Sequence, residues 1–394
     1  MKIKSLGVGL CVLMTMGALS LAPAIDQPGN KPRARDLGIP FDGTPGPLNA
    51  ITDVQGVEVG QVTLISGEGK LVVGQGPVRT GVTVIFPQGK SFRDRLFGAW
   101  FALNGNGEMT GTTWLQESGC LGSPILITNT QSVGVVRDAV TEWNVRRGHV
   151  DDYPGDFSLP VVAETWDGLL NDIDGFHVRK EDVFAALDGA RPGPVAEGNV
   201  GGGTGMVCHR FKGGTGTSSR VLGLSDGGYV LGVLVQANYG SRETLAIAGV
   251  PVGREITDLM PRPGRADAKD GSIIVVVATD APLLPHQLER LAKRVALGLA
   301  VAGGRGNDSS GDLFIAFSTA NPQVAKTSGL AHLTMLPNER IDPLFLATVQ
   351  ATEEAIANAL VAAETMTGVN GNTVYAIPHD RLREVLRKYN RLAK

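Results

Sequence analysis

Ile273–Val277 is an unbroken apolar run, and each of its five residues is β-branched. It shows no polar alternation, which predicts a central strand buried on both faces. Leu313–Phe317 and Tyr229–Ala237 have the same character. Val57–Leu64 and Gly81–Phe86 read as further strands, the first by its alternation; Pro124–Thr128 and Leu159–Ala163 read as buried strand starts. Helical spacing replaces this pattern in Gly134–Arg147, in Lys180–Leu187 and after Pro285, where Leu288, Leu291, Ala292, Val295 and Leu299 recur. Gly303-Gly304 is predicted to end that helix, a further helix spans Pro343–Glu364, and a basic one spans 380–393. Residues 25–48, rich in Pro and Gly, read as an extended arm. No repeat or linker divides the chain. Buried strands mixed with long helices predict one layered α/β domain.

Composition adds little except at the ends and in the turns. The 394 residues include 53 glycines, which implies many tight turns or close backbone approaches. A formal charge of −3, with no basic stripe, gives no reason to expect a nucleic-acid partner. Met1-Lys2-Ile3-Lys4, the apolar run from Leu6 to Leu21 and Ala22-Pro23-Ala24 form the three parts of a secretory signal peptide. Residues 1–24 are therefore expected to be removed, with export to the periplasm and no membrane association afterwards. Cys11 leaves with that segment. Cys120 and Cys208 remain, either paired or as buried thiols.

Three motifs compete for the chemistry and are set aside. Gly223-Leu224-Ser225-Asp226-Gly227 fits a hydrolase elbow, but a strand follows where that motif needs a helix, so it reads as a hairpin turn. Gly201-Gly202-Gly203-Thr204-Gly205 lacks the Lys-Ser/Thr of a phosphate loop and is expected to let the backbone approach a substrate or another loop. Leu170–Gly175 starts with the wrong residue for a calcium loop. The histidines at 149, 177, 209, 286, 332 and 379 lack metal-ligand spacing. No metal or organic cofactor is expected.

The central strand begins at Gly271-Ser272, directly after the polar, proline-broken stretch Pro261–Lys269. A serine where an exposed loop enters a core strand has two readings. One is turn chemistry. The other is a self-cleaving bond, in which Ser272 attacks the Gly271 carbonyl and the freed serine uses its own α-amine as base. Such an amine titrates near ~7.7–8, far closer to neutrality than a lysine.

The sequence around this junction resembles the family of L-aminopeptidase D-Ala-esterase/amidases and β-peptidyl aminopeptidases. The resemblance runs in order through Arg35–Gly38, Ala50–Val54, Val162–Thr165, Glu197–Met206, Gln236–Asn238, Ala278–Leu283, Pro285–Arg290 and Ala316–Thr319. It implies a four-layer αββα sandwich, and cleavage between Gly271 and Ser272 into an α chain, 25–271, and a β chain, 272–394, of one domain. By the same resemblance Ser272 is the nucleophile. Ser310 hydrogen-bonds it, and Asp312, a Glu in some members, holds the network and favours the protonated amine. Asn238 is the oxyanion donor. Glu164 binds the substrate's free amino group, and Trp166, a Tyr in some members, shapes the pocket.

Short β-peptides, amides and esters are the implied substrates, and a homo-oligomer of processed units the implied assembly. The exported precursor and the runs 216–220 and 364–368 point toward the β-peptidyl members. The Gly271-Ser272 junction and the Ser-Gly-Asp motif point toward an L-aminopeptidase with D-amino-acid esterase and amidase activity. An acyltransferase of the ornithine acetyltransferase kind uses a Thr nucleophile instead. A binding protein on the same scaffold would remain one intact chain.

Overall fold

A computed structural model describes residues 31–91, 94–148, 159–262, 271–322, 324 and 329–392. The expected signal segment and most of the loop before Gly271 lie outside these residues. The elements in chain order are β1 (Glu58–Ser66), β2 (Val78–Phe86), β3 (Leu96–Gly105), α1 (Thr112–Ser118), β4 (Cys120–Leu121), β5 (Ile125–Asn129) and α2 (Val133–Arg146). Next come β6 (Val161–Thr165), α3 (Lys180–Gly189), β7 (Val207–Cys208), β8 (Phe211–Lys212), β9 (Gly214–Val221), β10 (Val230–Asn238) and the single turn α4 (Val252–Glu255). The chain closes with β11 (Ser272–Thr279), α5 (Pro285–Val301), β12 (Gly311–Ser318), α6 (Asp342–Val361) and α7 (His379–Lys388).

The strands form two main sheets, ordered β1-β2-β5-β6 and β4-β3-β12-β11-β10-β9. Within the larger sheet β11 runs parallel to β12 and antiparallel to β10. The unbroken apolar run of β11 is explained by what lies on each side. Ile273, Val275 and Val277 pack with Leu288, Leu291 and Val295 of α5 and Ala351 and Ala355 of α6. Ile274, Val276 and Ala278 face the other sheet and meet Ile85, Ile125, Ile127 and Ala163. A third core joins Val82, Val84, Leu126 and Val162 to Val136, Val140 and Trp143 of α2 and Val183 and Leu187 of α3. The layers are therefore helices, sheet, sheet, helices, as the resemblance implied.

The predicted elements recur with shifted ends, and the serine, aspartate and asparagine at the strand ends all fall within strands. Besides the two-residue β4, two strands of the larger sheet have no counterpart in the sequence reading. Gly214–Val221 is too polar to announce a core strand, yet all but its last residue are buried. Its side chains are satisfied from neighbouring elements: Thr217 Oγ1 donates to Val233 O (2.7 Å), Ser218 Oγ to Ala351 O (2.6 Å) and Ser219 Oγ to Asp53 Oδ2 (2.6 Å). At Gly216 the backbone of α6 comes so close that an added Cβ would lie 2.6 Å from Ala359 N. The other missed strand, β3, mixes Gly98 and Ala99 with Trp100 and Phe101 and shows no clean period. The arm before β1 is held by Arg33, which pairs with Glu197 (2.6 Å), and by Arg35, which pairs with Glu354 (2.7 Å). Pro261 and Arg262 belong to the body rather than to the loop: Pro261 is buried, and Arg262 bridges to Thr373.

Candidate active site

Ser272 is the first residue of β11, and the pairing registers place Asn238 of β10 opposite it and Asp312 of β12 beside Ile273. Three of the residues singled out in the sequence thus meet at one end of the larger sheet, brought there from positions up to 74 residues apart. Ser272 is buried, and its Oγ accepts a hydrogen bond from the Gly311 amide (3.1 Å). Its own proton is not needed for that bond.

The expected bond from Ser310 to Ser272 takes a different form. With the Gly271–Ser272 bond intact, Ser310 Oγ donates to the Gly271 carbonyl oxygen and contacts Asp312 Oδ1 at 2.6 Å. One hydroxyl proton serves one acceptor at a time, so the hydroxyl stands between the carboxyl of Asp312 and the carbonyl that Ser272 would attack. On that side a cleft of about 220 Å³ is lined by Tyr239, Thr244, Arg305, Asn307, Ser310 and Asp312.

Across the strand pair, Asn238 is held at both ends of its carboxamide. Val207 N–H donates to Oδ1 (2.7 Å), and Nδ2 donates to Trp166 O (2.9 Å). This fixes which amide atom faces which way and, among the described residues, leaves the second Nδ2 proton uncommitted. A Cβ added at Gly271 would lie 2.6 Å from Nδ2 and would overlap Asn238 O. The amide therefore abuts the bond expected to break, and glycine is required there for space rather than for φ.

Glu164, on β6 of the smaller sheet, is buried. Oε1 accepts from Glu108 N–H (3.0 Å), and Oε2 accepts from Thr130 Oγ1. Among the described residues no cation pairs with it. Burial pushes its carboxyl above the usual carboxylate range, which the two hydrogen bonds only partly offset. The ion-pair explanation for this residue thus finds no partner. Gly107 sits between it and Gly311, whose amide donates to Ser272: a Cβ there would lie 3.3 Å from Glu164 Oε1 and 3.3 Å from Gly311 Cα. Trp166 is half exposed, its indole lying over Gly168, so its contribution to Asn238 is made by the backbone carbonyl.

Several participants were not singled out from the sequence. Gly107, Glu108 and Thr130 act through backbone position or one short hydroxyl. Gly311 was visible only as the middle of Ser-Gly-Asp. The glycine run 201–205 does allow close approach, but to other parts of the fold: a Cβ on Gly202 would lie 2.7 Å from Ile127 O, and one on Gly203 2.6 Å from Thr215 Oγ1. Cys120 and Cys208 are unpaired, and burial pushes the Cys208 thiol up to about 12.

The profile of peptidase family S58 matches residues 49–374. The chain belongs to that family. The S58 assignment agrees with individual relatives. The chain is 55% identical over 376 residues to the beta-peptidyl aminopeptidase BapA of Sphingosinicella microcystinivorans, covering 92% of this chain and 93% of that one. The structure of the L-aminopeptidase D-Ala-esterase/amidase of Ochrobactrum anthropi, described as a variant of the Ntn hydrolase fold, superposes with a TM-score of 0.86 at 48% identity, covering 92% of this chain and all of that one. A Burkholderia beta-aminopeptidase superposes with a TM-score of 0.82 at 48% identity, covering 90% and 98%. This S58 member is a serine-type aminopeptidase with an Ntn-hydrolase-like α/β fold.

Proposed function

We propose that the chain is an exported precursor that cleaves itself between Gly271 and Ser272 and then releases N-terminal residues from short β-peptides, amides or esters. The observation that carries this reading is the environment of one peptide bond. Ser272 Oγ is adjacent in sequence to the Gly271 carbonyl, Ser310 donates to that carbonyl's oxygen, and the Asn238 amide lies against Gly271. In the first step Ser272 Oγ attacks the Gly271 carbonyl carbon, its proton passes to the departing nitrogen, and an ester replaces the amide. Water then hydrolyses the ester, leaving a Gly271 carboxylate and a free Ser272 amine.

In turnover that amine takes the Oγ proton as Oγ attacks the substrate carbonyl, and the proton then goes to the leaving amine. Asn238 donates to the oxyanion, a role for preorganised amides worth roughly 10²–10³ in turnover. Water releases the acyl group from Ser272. Glu164, buried without a cation, receives the substrate's ammonium and thereby selects free amino termini. The β-peptide preference rests on similarity to the BapA sequence. The Ochrobactrum structure supports the second reading, an L-aminopeptidase with D-amide and ester activity. Chromogenic amides of β-alanine, L-alanine and D-alanine separate the two. An N-terminus at or near Ile25 on periplasmic protein tests export; retained Met1 on that material ends that part of the proposal.

The central test is intact mass of wild type and Ser272→Ala, side by side. Wild type is expected as two chains, and Ser272→Ala as one inactive chain, because the substitution removes nucleophile and base together. Two chains from both proteins would mean that another agent cuts the loop. One chain from both, with wild type active, would mean that the serine works without a freed amine.

A further inference from the structure

Lys212, on β8, is wholly buried, and no carboxylate pairs with it among the described residues. Its Nζ reaches Met206 O and Gly213 O, both at 2.8 Å, and Gly203 O at 3.5 Å. Burying an unpaired ammonium is costly, and burial pushes this amine down to about 7. An apolar residue would fill the same space more cheaply unless those carbonyls need a donor. Two of them already take a backbone donor, Met206 O from Gly213 N–H (2.9 Å) and Gly203 O from Met206 N–H (3.4 Å), but a carbonyl oxygen has two lone pairs, and a lysine is the side chain that offers three donors from one atom to tie these carbonyls together.

That turn delivers one further group. The amide leaving Met206 is Val207 N–H, the donor that fixes Asn238 Oδ1 at 2.7 Å. A carboxamide has two faces of nearly equal shape, and only its partners decide which atom points where. Trp166 O holds one Nδ2 proton and Val207 N–H holds Oδ1. Gly213 pins the other end of the turn, since a Cβ there would lie 2.8 Å from Cys208 Cβ and would overlap Ala237 O, next to Asn238. We propose that Lys212 is a positioning residue for the oxyanion amide: by clamping the Gly203–Gly213 turn through three carbonyls it places Val207 N–H, and Val207 N–H orients Asn238. This rests on the reading of Asn238 as the oxyanion donor.

The test is a double-mutant cycle on the processed enzyme, with turnover expressed per cleaved chain. Lys212→Met is expected to lower kcat at least tenfold with KM changed less than about threefold. In an Asn238→Ala background the same substitution is expected to cost less than about threefold, because the amide it positions is gone. Equal kcat losses in both backgrounds, a change confined to KM, or unchanged kinetics would overturn the proposal. Val207→Pro removes the linking N–H from a partly buried position and keeps the question decidable if Lys212→Met does not fold. It too must lower kcat without additivity to Asn238→Ala, and a wild-type kcat in Val207→Pro overturns the inference by itself. If Asn238→Ala alone leaves turnover intact, the oxyanion reading fails. If Asn238→Ala is impaired and Lys212→Met adds its full effect, only the role of Lys212 fails.

Discussion

Gly271 has no side chain because Asn238 occupies the space one would need. A methyl group there would overlap Asn238 O and crowd Nδ2 at 2.6 Å, and both belong to the strand that sets the register. Gly271→Ala is therefore expected to fold with the end of β10 displaced and to process at least tenfold more slowly than wild type, read as the two-chain fraction against time by intact mass. Unchanged processing would show that the strand end yields without moving the amide. Glu164 makes its argument through what it lacks. Under the proposed function, this buried carboxylate, with two donors and no cation paired to it among the described residues, takes the substrate's ammonium. Glu164→Gln is expected to cost at least a hundredfold in kcat/KM on substrates with a free amino terminus, since breaking a buried charge pair is worth roughly 2–5 kcal/mol, while self-cleavage proceeds. Normal kinetics in a folded variant would remove it from the substrate site.

At the scale of elements, the polar strand β9 is stable because its neighbours were built to receive it. Arg220, on β9, is buried and donates to Asp42 O (2.8 Å), Ser219 O (2.6 Å) and Gln350 O (3.1 Å) while pairing with Glu354 of α6 at 2.8 Å. Burial alone would push the Glu354 carboxyl upward, but Arg35, Arg220 and Asn49 outweigh it and hold it below the usual carboxylate range. One cluster thus ties the arm, an edge strand and a core helix together. Arg220→Met is expected to cost about 3–5 kcal/mol in urea unfolding, the range for breaking a buried pair from one side. A loss under about 1 kcal/mol would mean that Arg35 and Asn49 satisfy Glu354 unaided. Periodicity could not reveal this strand, because a strand announces itself by apolar alternation, and here hydroxyls and a guanidinium take the buried positions.

Across the whole molecule, the sheet end that holds the site also holds buried groups whose charge couples stability to pH. His209 sits in the turn between β7 and β8 with φ of 48°, stacks edge-on against Tyr239 at 4.8 Å and uses Nδ1 toward Ser241 O (2.8 Å). Burial pushes its imidazole down to about 4 from an ordinary 6.5. Between those values the unfolded chain binds a proton that the folded chain refuses, so this contribution is complete above about pH 6.5 and is lost as pH falls toward 4. The loss is on the order of 3 kcal/mol. Asp167 works in the opposite sense: burial raises it to about 7, so its contribution falls as pH rises from 3.8 to 7. Comparing unfolding free energies of wild type and His209→Gln from pH 7 to 4 isolates the histidine, and wild type is expected to lose more. Parallel curves would mean that the imidazole charges without leaving its pocket.

The division between sequence and structure follows the range of the forces involved. Short-range pattern was sufficient for β11, β12, β10 and α5, because a strand buried on both faces or an amphipathic helix writes its environment into consecutive residues. Ordered motifs were sufficient for the family, and with it the four layers; they also named Ser272, Asn238, Ser310 and Asp312, which register and hydrogen bonds bring to one sheet end, and Glu164 on the facing sheet, whose role stays with the proposed function. What those motifs left open was which atom touches which. That Gly311 N–H rather than Ser310 meets Ser272 Oγ, that Ser310 holds the Gly271 carbonyl, and that Trp166 contributes its backbone oxygen to Asn238 are facts of register and backbone direction. Backbone donors and acceptors carry no residue identity, and Lys212 looks in sequence like any surface lysine. Only when two sheets closed over the glycine turn did its charge find three carbonyls instead of water.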